Sequence, residues 1–394
     1  VIKNFFLFLK SLLGKQYSRN EVFGLSRTLS LNYVERAYVD DEFRRELSKD
    51  SHIVIFGGSK QGKTSLRKKC LLDSQYILLQ CSNKMKLGDL FTGILKQAGF
   101  NIQTNSIDPE DPNDVVTALG SINFDKLIVL EDFHYLPVDT QKDFSIALKT
   151  IHETSKYKFI LTAVWLEDNR LIIFNSDLTG RVISINADKW SEDDLMRVID
   201  KGGELLNIDF DKDFKIELVK NCFDSVYIIQ EACNSLCEHC AIDGWQPKRI
   251  QVGAKTDVAA LIKKAINKQS ARYESFLTKV ADGHGATEFA MYKWILYAVV
   301  KSKISRLERG LPFEDIRDII KNEHPKKDML NIGNITQSLN SLASLQIKKG
   351  VMPIIIDYDK TNNKLNVVEK SFLIWLNSND SSTLAIKIIS SEEA

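Results

Sequence analysis

The run Gly57-Gly58-Ser59-Lys60-Gln61-Gly62-Lys63-Thr64 constrains this chain more than any other feature. It follows an apolar stretch, Ile53-Val54-Ile55-Phe56, and leads into a basic segment that reads as a helix from about Lys63. Glycines let backbone amides wrap an anion, and the N-terminus of a following helix adds a favourable field. The eight residues satisfy G-x-x-x-x-G-K-[ST], so a strand–loop–helix that cradles phosphate is expected. Residues 57–64, with Ser65, are the nucleotide-binding candidates. Lys63 is expected to reach the β/γ-phosphates of ATP, and the Thr64 hydroxyl a Mg²⁺ ion.

The surrounding pattern agrees with an α/β fold. Continuous apolar runs recur at Tyr76–Gln80, Leu127–Leu130, Phe159–Val164 and Val182–Ile185, separated by helical stretches. Short, wholly apolar strands alternating with helices predict a parallel sheet covered on both faces. The helix Asp40–Lys49 precedes the first strand. Beyond Trp190 the strands are expected to stop, with helices at Asp193–Gly202, Asp213–Asn221 and Val226–Cys240.

Leu127–Leu130 ends in two acids, Glu131 and Asp132. An apolar strand ending so is the Walker B arrangement: Glu131 would hold the water shell of the metal, and Asp132 would orient or deprotonate the attacking water. The commoner order is Asp-Glu. A shorter carboxylate at the water-activating position predicts slow hydrolysis, suited to a switch. Thr162, within its strand, is placed to reach the γ-phosphate or is simply a strand threonine. Arg181, just before the fifth strand, is either an arginine finger for a neighbouring subunit's phosphate or a surface ion pair.

From about 284 the order is helix, helix, helix, strand, strand: Glu288–Lys303, Phe313–Asn322, Ile335–Gln346, Ile354–Tyr358 and Lys364–Val368. That order predicts a winged helix, with Ile335–Gln346 as recognition helix. Gln337, Asn340, Ser341 and Ser344 on its outward face, then Lys348 and Lys349, are the DNA-binding candidates, because amides and hydroxyls read base edges and lysines hold phosphates. The same module serves elsewhere as a plain protein-docking unit. The tail from Ser378 reads as polar and mobile.

The 394 residues suffice for two or three domains. Lys+Arg 53 against Asp+Glu 52 gives a net charge of +1, which excludes a basic glove or acidic tail spread over the whole chain. A local excess survives that average: Pro247–Lys279 holds eight basic residues against two acidic ones. Six cysteines are too few for a secreted disulfide scaffold, which points to the cytoplasm. Cys233, Cys237 and Cys240 at i, i+4, i+7 read as one apolar helix stripe, with a zinc site as the alternative. No apolar run is long enough for a transmembrane segment. Phe5, Phe6, Phe8, Leu9, Leu12 and Leu13 predict an amphipathic helix at the start of the chain.

On these residues the chain resembles the AAA+/STAND branch of P-loop ATPases, especially archaeal replication-initiator-like and TniB-like transposition ATPases. Leu130-Glu131-Asp132-Phe133-His134-Tyr135-Leu136 is similar to their I-D-E-A-H-N-L segment with the acids exchanged. Tyr33-Val34-Glu35-Arg36 resembles the v-G-R-e box, which would put Arg36 near the adenine. Arg181, the fifth strand and Trp190–Ile199 resemble the entry to the helical lid. The lid helix that often carries a sensor Arg reads Phe223–Gln230 and has none.

The expected organisation is an N-terminal helix and linker (1–30), an ATPase core (31–190), a helical lid (191–246), a basic connector (247–283), a winged helix (284–377) and a tail (378–394). The resemblance implies an ATP- and Mg²⁺-dependent switch that regulates or assembles a partner complex, in antiviral defence or DNA mobility. Its partners would be further copies of itself or a subunit carrying an effector. The alternative is an initiator-like or regulatory protein whose affinity for double-stranded DNA is tuned by ATP.

Overall fold

A computed structural model describes residues 16–24, 28–102, 107–283 and 288–390. The apolar block predicted as the first helix (Phe5 to Leu13) lies outside the described residues. The chain divides into two compact units, one formed by residues 1–36 with Lys189–Lys268, the other by Ala37–Asp188 with Gln269–Ala394. The basic stretch 247–283 is thereby shared between the two.

The larger unit is built on five parallel strands: β1 (His52–Phe56), β2 (Tyr76–Gln80), β3 (Leu127–Glu131), β4 (Phe159–Ala163) and β5 (Val182–Asn186), in the order β2-β3-β4-β1-β5. The α/β fold class and the five strands expected from the apolar runs hold. Alternation within each strand explains why the runs are unbroken. Ile53 and Ile55 face one side with Val129, Ile160 and Ile185, while Val54 and Phe56 face the other with Ile128, Leu130 and Leu161. Helices cover both sides, so neither set can be polar.

The register sets the site. Ile55 lies beside Thr162 on β4, Gln80 beside Glu131 on β3, and Phe56 beside Asn186 on β5. The residues that follow β1, β3 and β5 therefore emerge together at the carboxyl edge of the sheet, where open parallel sheets bind ligands.

The smaller unit is mostly helical, but strands do occur beyond Trp190. β6 (Ile208–Phe210) and β7 (Ile250–Val252) pair in parallel. Three-residue strands are too short to show a period against the helices around them. Ser191 caps the helix Glu192–Leu206 with a capping box. In the helix Val226–His239, Cys233 and Cys237 are fully buried, and burial pushes both thiols up. Cys240 lies just past the helix end and is exposed, so the buried stripe is shorter than the spacing implied.

In the C-terminal part of the larger unit, β8 (Leu311–Pro312), β9 (Ile356–Asp359) and β10 (Lys364–Val367) form an antiparallel sheet in the order β8-β10-β9. The single helix expected at Ile335–Gln346 is two helices, Ile332–Asn340 and Leu342–Lys348, broken at Ser341. The Ser341 hydroxyl donates back to Gln337 O and bonds the Tyr292 hydroxyl at 2.7 Å, which competes with helix continuation. The tail expected to be mobile contains the helix Ser381–Ile389, capped by Asp380 and packed on the helix Met291–Lys301. Its buried face is Leu384, Ala385 and Ile388, within a stretch (384–389) that is apolar but for Lys387.

Candidate nucleotide-binding site

The loop after β1 turns into the helix Lys63–Cys70 through Gly62, whose φ of 89° is a left-handed conformation that glycine adopts without strain. Gly57 and Gly58 are buried, Ser59 and Lys60 half-buried, and Gln61 is 1% exposed. Lys63 Nζ donates to the carbonyls of Gly57 (3.0 Å) and Gly58 (2.6 Å), so the lysine folds back over its own loop. Burial pushes Lys63 down to about 8, against the pull of Asp188 and Asp132. Thr64 is exposed and Ser65 half-buried on the first turn of the helix.

Two of the loop's amides already have acceptors. Gly58 N–H donates to Asp188 Oδ1 at 2.6 Å, and Ser59 N–H donates to the carbonyl of Val368 at 3.0 Å. Asp188 stands two residues beyond β5, and Val368 directly follows β10. Both are anionic or electronegative groups on a loop built for anions.

The strand acids sit opposite. Thr64 Oγ1 donates to Glu131 Oε1 at 3.0 Å, and Arg67 Nη2 lies 3.5 Å from Glu131 Oε2. Asp132 has a left-handed backbone (φ 56°), its N–H donates to Thr162 Oγ1 at 3.2 Å, and its Oδ2 accepts from Gln80 Nε2 at 2.5 Å. Burial pushes the Asp132 carboxyl up, and the Gln80 bond opposes that shift. Thr162 thus bridges β4 to the turn after β3. His134, in the turn that follows, accepts from Val164 N–H on Nδ1 at 3.2 Å, and burial holds it down at about 3.

The arrangement brings together Gly57, Gly58, Ser59, Lys63, Thr64, Glu131, Asp132 and Thr162. Arg181 is at the other end of its strand. It precedes Val182, which pairs with His52 at the start of β1, and the P-loop follows the end of β1. There Arg181 pairs with Glu153 at 2.8 Å and donates to the Asp177 carbonyl. Arg36 belongs to the smaller unit, fully buried, with its guanidinium 4.1 Å over the Trp190 ring and a bond to Lys189 O. In that unit Gln230, within the stretch where the resemblance would place a sensor Arg, exchanges two hydrogen bonds with Asn32 (2.8 and 2.9 Å).

Of the DNA-binding candidates, Ser341 is turned inward on Tyr292 and is not on an outward face. Gln337 is exposed and Lys349 half-buried. Asn340, Ser344 and Lys348 line one wall of a cleft of about 440 Å³ whose other wall includes Leu136, Val138 and Ile173 of the α/β part. Asn340, Ser344 and Lys348 are nonetheless exposed, as is Gln337, which lies outside the cleft. Arg170 joins the two walls: its guanidinium donates to Glu167 (2.8 Å) and to Asp357 of β9 (2.6 Å), and Thr361 donates its hydroxyl to Glu167.

Sequence reading missed Arg67, Gln80, Asp188 and Val368. Arg67 carried a signal, its i+4 spacing from Lys63 on one helix. The other three depend on which strand ends meet, and Val368 acts through its backbone, which any residue supplies.

The oxygens present fit ATP with Mg²⁺. Mg²⁺ in nucleotide sites is held by one or two protein oxygens and otherwise by phosphate and water. Thr64 and Glu131 form such a pair, and among the described residues no cluster of three or more His, Cys, Asp or Glu could hold a metal without the phosphates.

No protein-family model and no curated protein matches the sequence. Solved structures do match the fold. The ORC2 protein of Aeropyrum pernix, solved as ADPNP–ADP complexes, aligns over 96% of this chain and 100% of its own with 15% identity and a TM-score of 0.51. A Walker-type ATPase of Pyrococcus abyssi aligns over 90% of this chain and 99% of its own with 14% identity and a TM-score of 0.52. At such identities the likeness is one of fold.

Proposed function

We propose that this chain, which has the fold of the AAA+ P-loop ATPases, is an ATP- and Mg²⁺-dependent switch that regulates or assembles a partner complex. The observation that carries the reading is the bond from Ser59 N–H to Val368 O, which ties the phosphate loop to the C-terminal part of the same unit. Phosphates entering the loop compete with Val368 for that amide and with Asp188 for the neighbouring one. ATP binding and the seating of the C-terminal part are then linked, and each weakens the other.

In the nucleotide-bound protein Lys63 exchanges its two loop carbonyls for phosphate oxygens, and its lowered proton affinity is restored by the anion. Thr64 and Glu131 would hold Mg²⁺, which supplies charge neutralisation to the β- and γ-phosphates. Asp132 accepts the proton of the attacking water or orients it, with its backbone fixed by Thr162 and its carboxylate by Gln80. Gln80 has to share Asp132 Oδ2 with that water, and the short aspartate reaches less far than a glutamate. Both features favour slow turnover.

Arg181 cannot serve its own loop from the far end of β5, which supports a role toward a neighbouring copy. The partner complex is of the kind the sequence resemblance implies, in antiviral defence or DNA mobility. No helix among the described residues is long and apolar enough to cross a membrane.

The test uses the full chain with radiolabelled ATP. The wild type should bind ATP and release phosphate slowly, Lys63→Ala should lose binding, and Asp132→Asn should bind without release. ATP should also speed amide exchange at 364–370. Binding with unchanged exchange there overturns the switch. Salt-dependent duplex binding that changes with nucleotide while no partner protein co-purifies favours the DNA-regulator reading instead.

A further inference from the structure

We propose that Arg67 is a resident cation at the metal end of this site, which holds Glu131 when Mg²⁺ is absent and sets a weak affinity for Mg²⁺. The proposal rests on the ATP·Mg²⁺ reading above and concerns how the same site is tuned.

Arg67 follows Thr64 by three residues, so one helix face presents both to Glu131. It is 2% exposed. A guanidinium is a cation, so this is a buried positive charge. A buried charge needs a counter-charge, and the carboxylate in reach is Glu131, at 3.5 Å. Thr64 holds the other oxygen of the same carboxylate. Both oxygens of the acid expected to serve the metal are thus engaged by the helix of the phosphate loop.

The guanidinium is also fixed independently of Glu131. Nη1 donates to the Tyr76 hydroxyl at 2.5 Å, and that hydroxyl donates to Asp73 at 2.6 Å, with the guanidinium 4.9 Å over the Tyr76 ring. Arg67 therefore stays in place when Glu131 turns to another cation. A divalent ion beside Thr64 and Glu131 is then repelled by a fixed positive charge and competes with it for Oε2. The same charge offsets part of the phosphate charge when no metal is there. Nucleotide binding in this chain should consequently depend little on Mg²⁺, and Mg²⁺ should bind and leave the nucleotide complex readily.

The experiment titrates Mg²⁺ into full-length protein with fluorescent ADP and reads binding, not turnover. In chelator the wild type should hold ADP within about threefold of its affinity in Mg²⁺. Arg67→Met, which keeps length and loses charge, should lower the Mg²⁺ midpoint about fivefold or more and weaken ADP binding in chelator. Arg67→Lys, which keeps the charge, should stay within about twofold of the wild-type midpoint. Should Arg67→Met fail to fold, the wild type decides alone: ADP binding that needs Mg²⁺ overturns the proposal. Equal midpoints for wild type and Arg67→Met overturn it while leaving the nucleotide reading intact. No ADP binding by the wild type in either condition overturns both.

Discussion

Ser59 and Val368 share a backbone hydrogen bond of 3.0 Å, Ser59 N–H donating and Val368 C=O accepting. One residue is in the phosphate loop after β1, the other follows the last strand of the C-terminal sheet. A Cβ built on Gly58 would meet the same carbonyl oxygen at 2.6 Å. The approach is close enough that the loop position beside Ser59 has no room for a side chain while Val368 is seated.

Gly58→Ala should therefore displace the segment after β10 without removing an amide from the phosphate loop. Amide exchange at Ser59 and at 368–372 should accelerate about tenfold, in line with loss of one protected bond of about 1 kcal/mol and its local packing. ATP affinity should hold or improve, because a competing acceptor has been moved. Hydrogen-exchange mass spectrometry with a parallel binding isotherm checks both.

Arg170 lies between Glu167 and Asp357, and both carboxylates are nearly buried. Arg170→Met leaves two buried acids without their cation and should destabilise the larger unit by about 3 kcal/mol or more in urea unfolding. The triple change with Glu167→Gln and Asp357→Asn should recover part of that loss, since the penalty comes from uncompensated charge.

Acid should weaken the fold through two histidines. Burial holds His52 and His134 at about 3, against 6.5 in an unfolded chain. Below pH 6.5 the unfolded chain takes up protons that the folded chain refuses until about pH 3, so stability falls as pH drops through that window. Each imidazole should cost about 2 kcal/mol between pH 7 and pH 5. His52→Gln should flatten the slope by one proton in urea melts run across that range.

Arg181→Ala should leave ATP binding unchanged, because the residue stands at the amino end of β5 and away from its own loop. Phosphate release per protomer should lose any rise with protein concentration. A concentration-dependent rate that persists in the variant removes Arg181 from the trans role.

By itself the sequence determined the α/β class, the five parallel strands, the phosphate loop and the acids of β3. These are contiguous patterns: an apolar run, a glycine-rich octet, two acids at a strand end. Their physics is local, a period of side chains or a turn that only glycine makes easily. The tertiary structure decided what those patterns touch. The strand order puts Gln80 beside Asp132 and Asp188 beside Gly58, although neither residue is near its partner along the chain. Val164, just past β4, packs on Ile354 and Val368, whose carbonyl meets Ser59, and Asn340, Ser344 and Lys348 come to line a cleft. The expected recognition helix breaks at Ser341, whose hydroxyl meets that of Tyr292. Such contacts join residues far apart in the chain, and one of them runs through a carbonyl oxygen that every residue carries. Composition and spacing hold no record of them until the chain has folded.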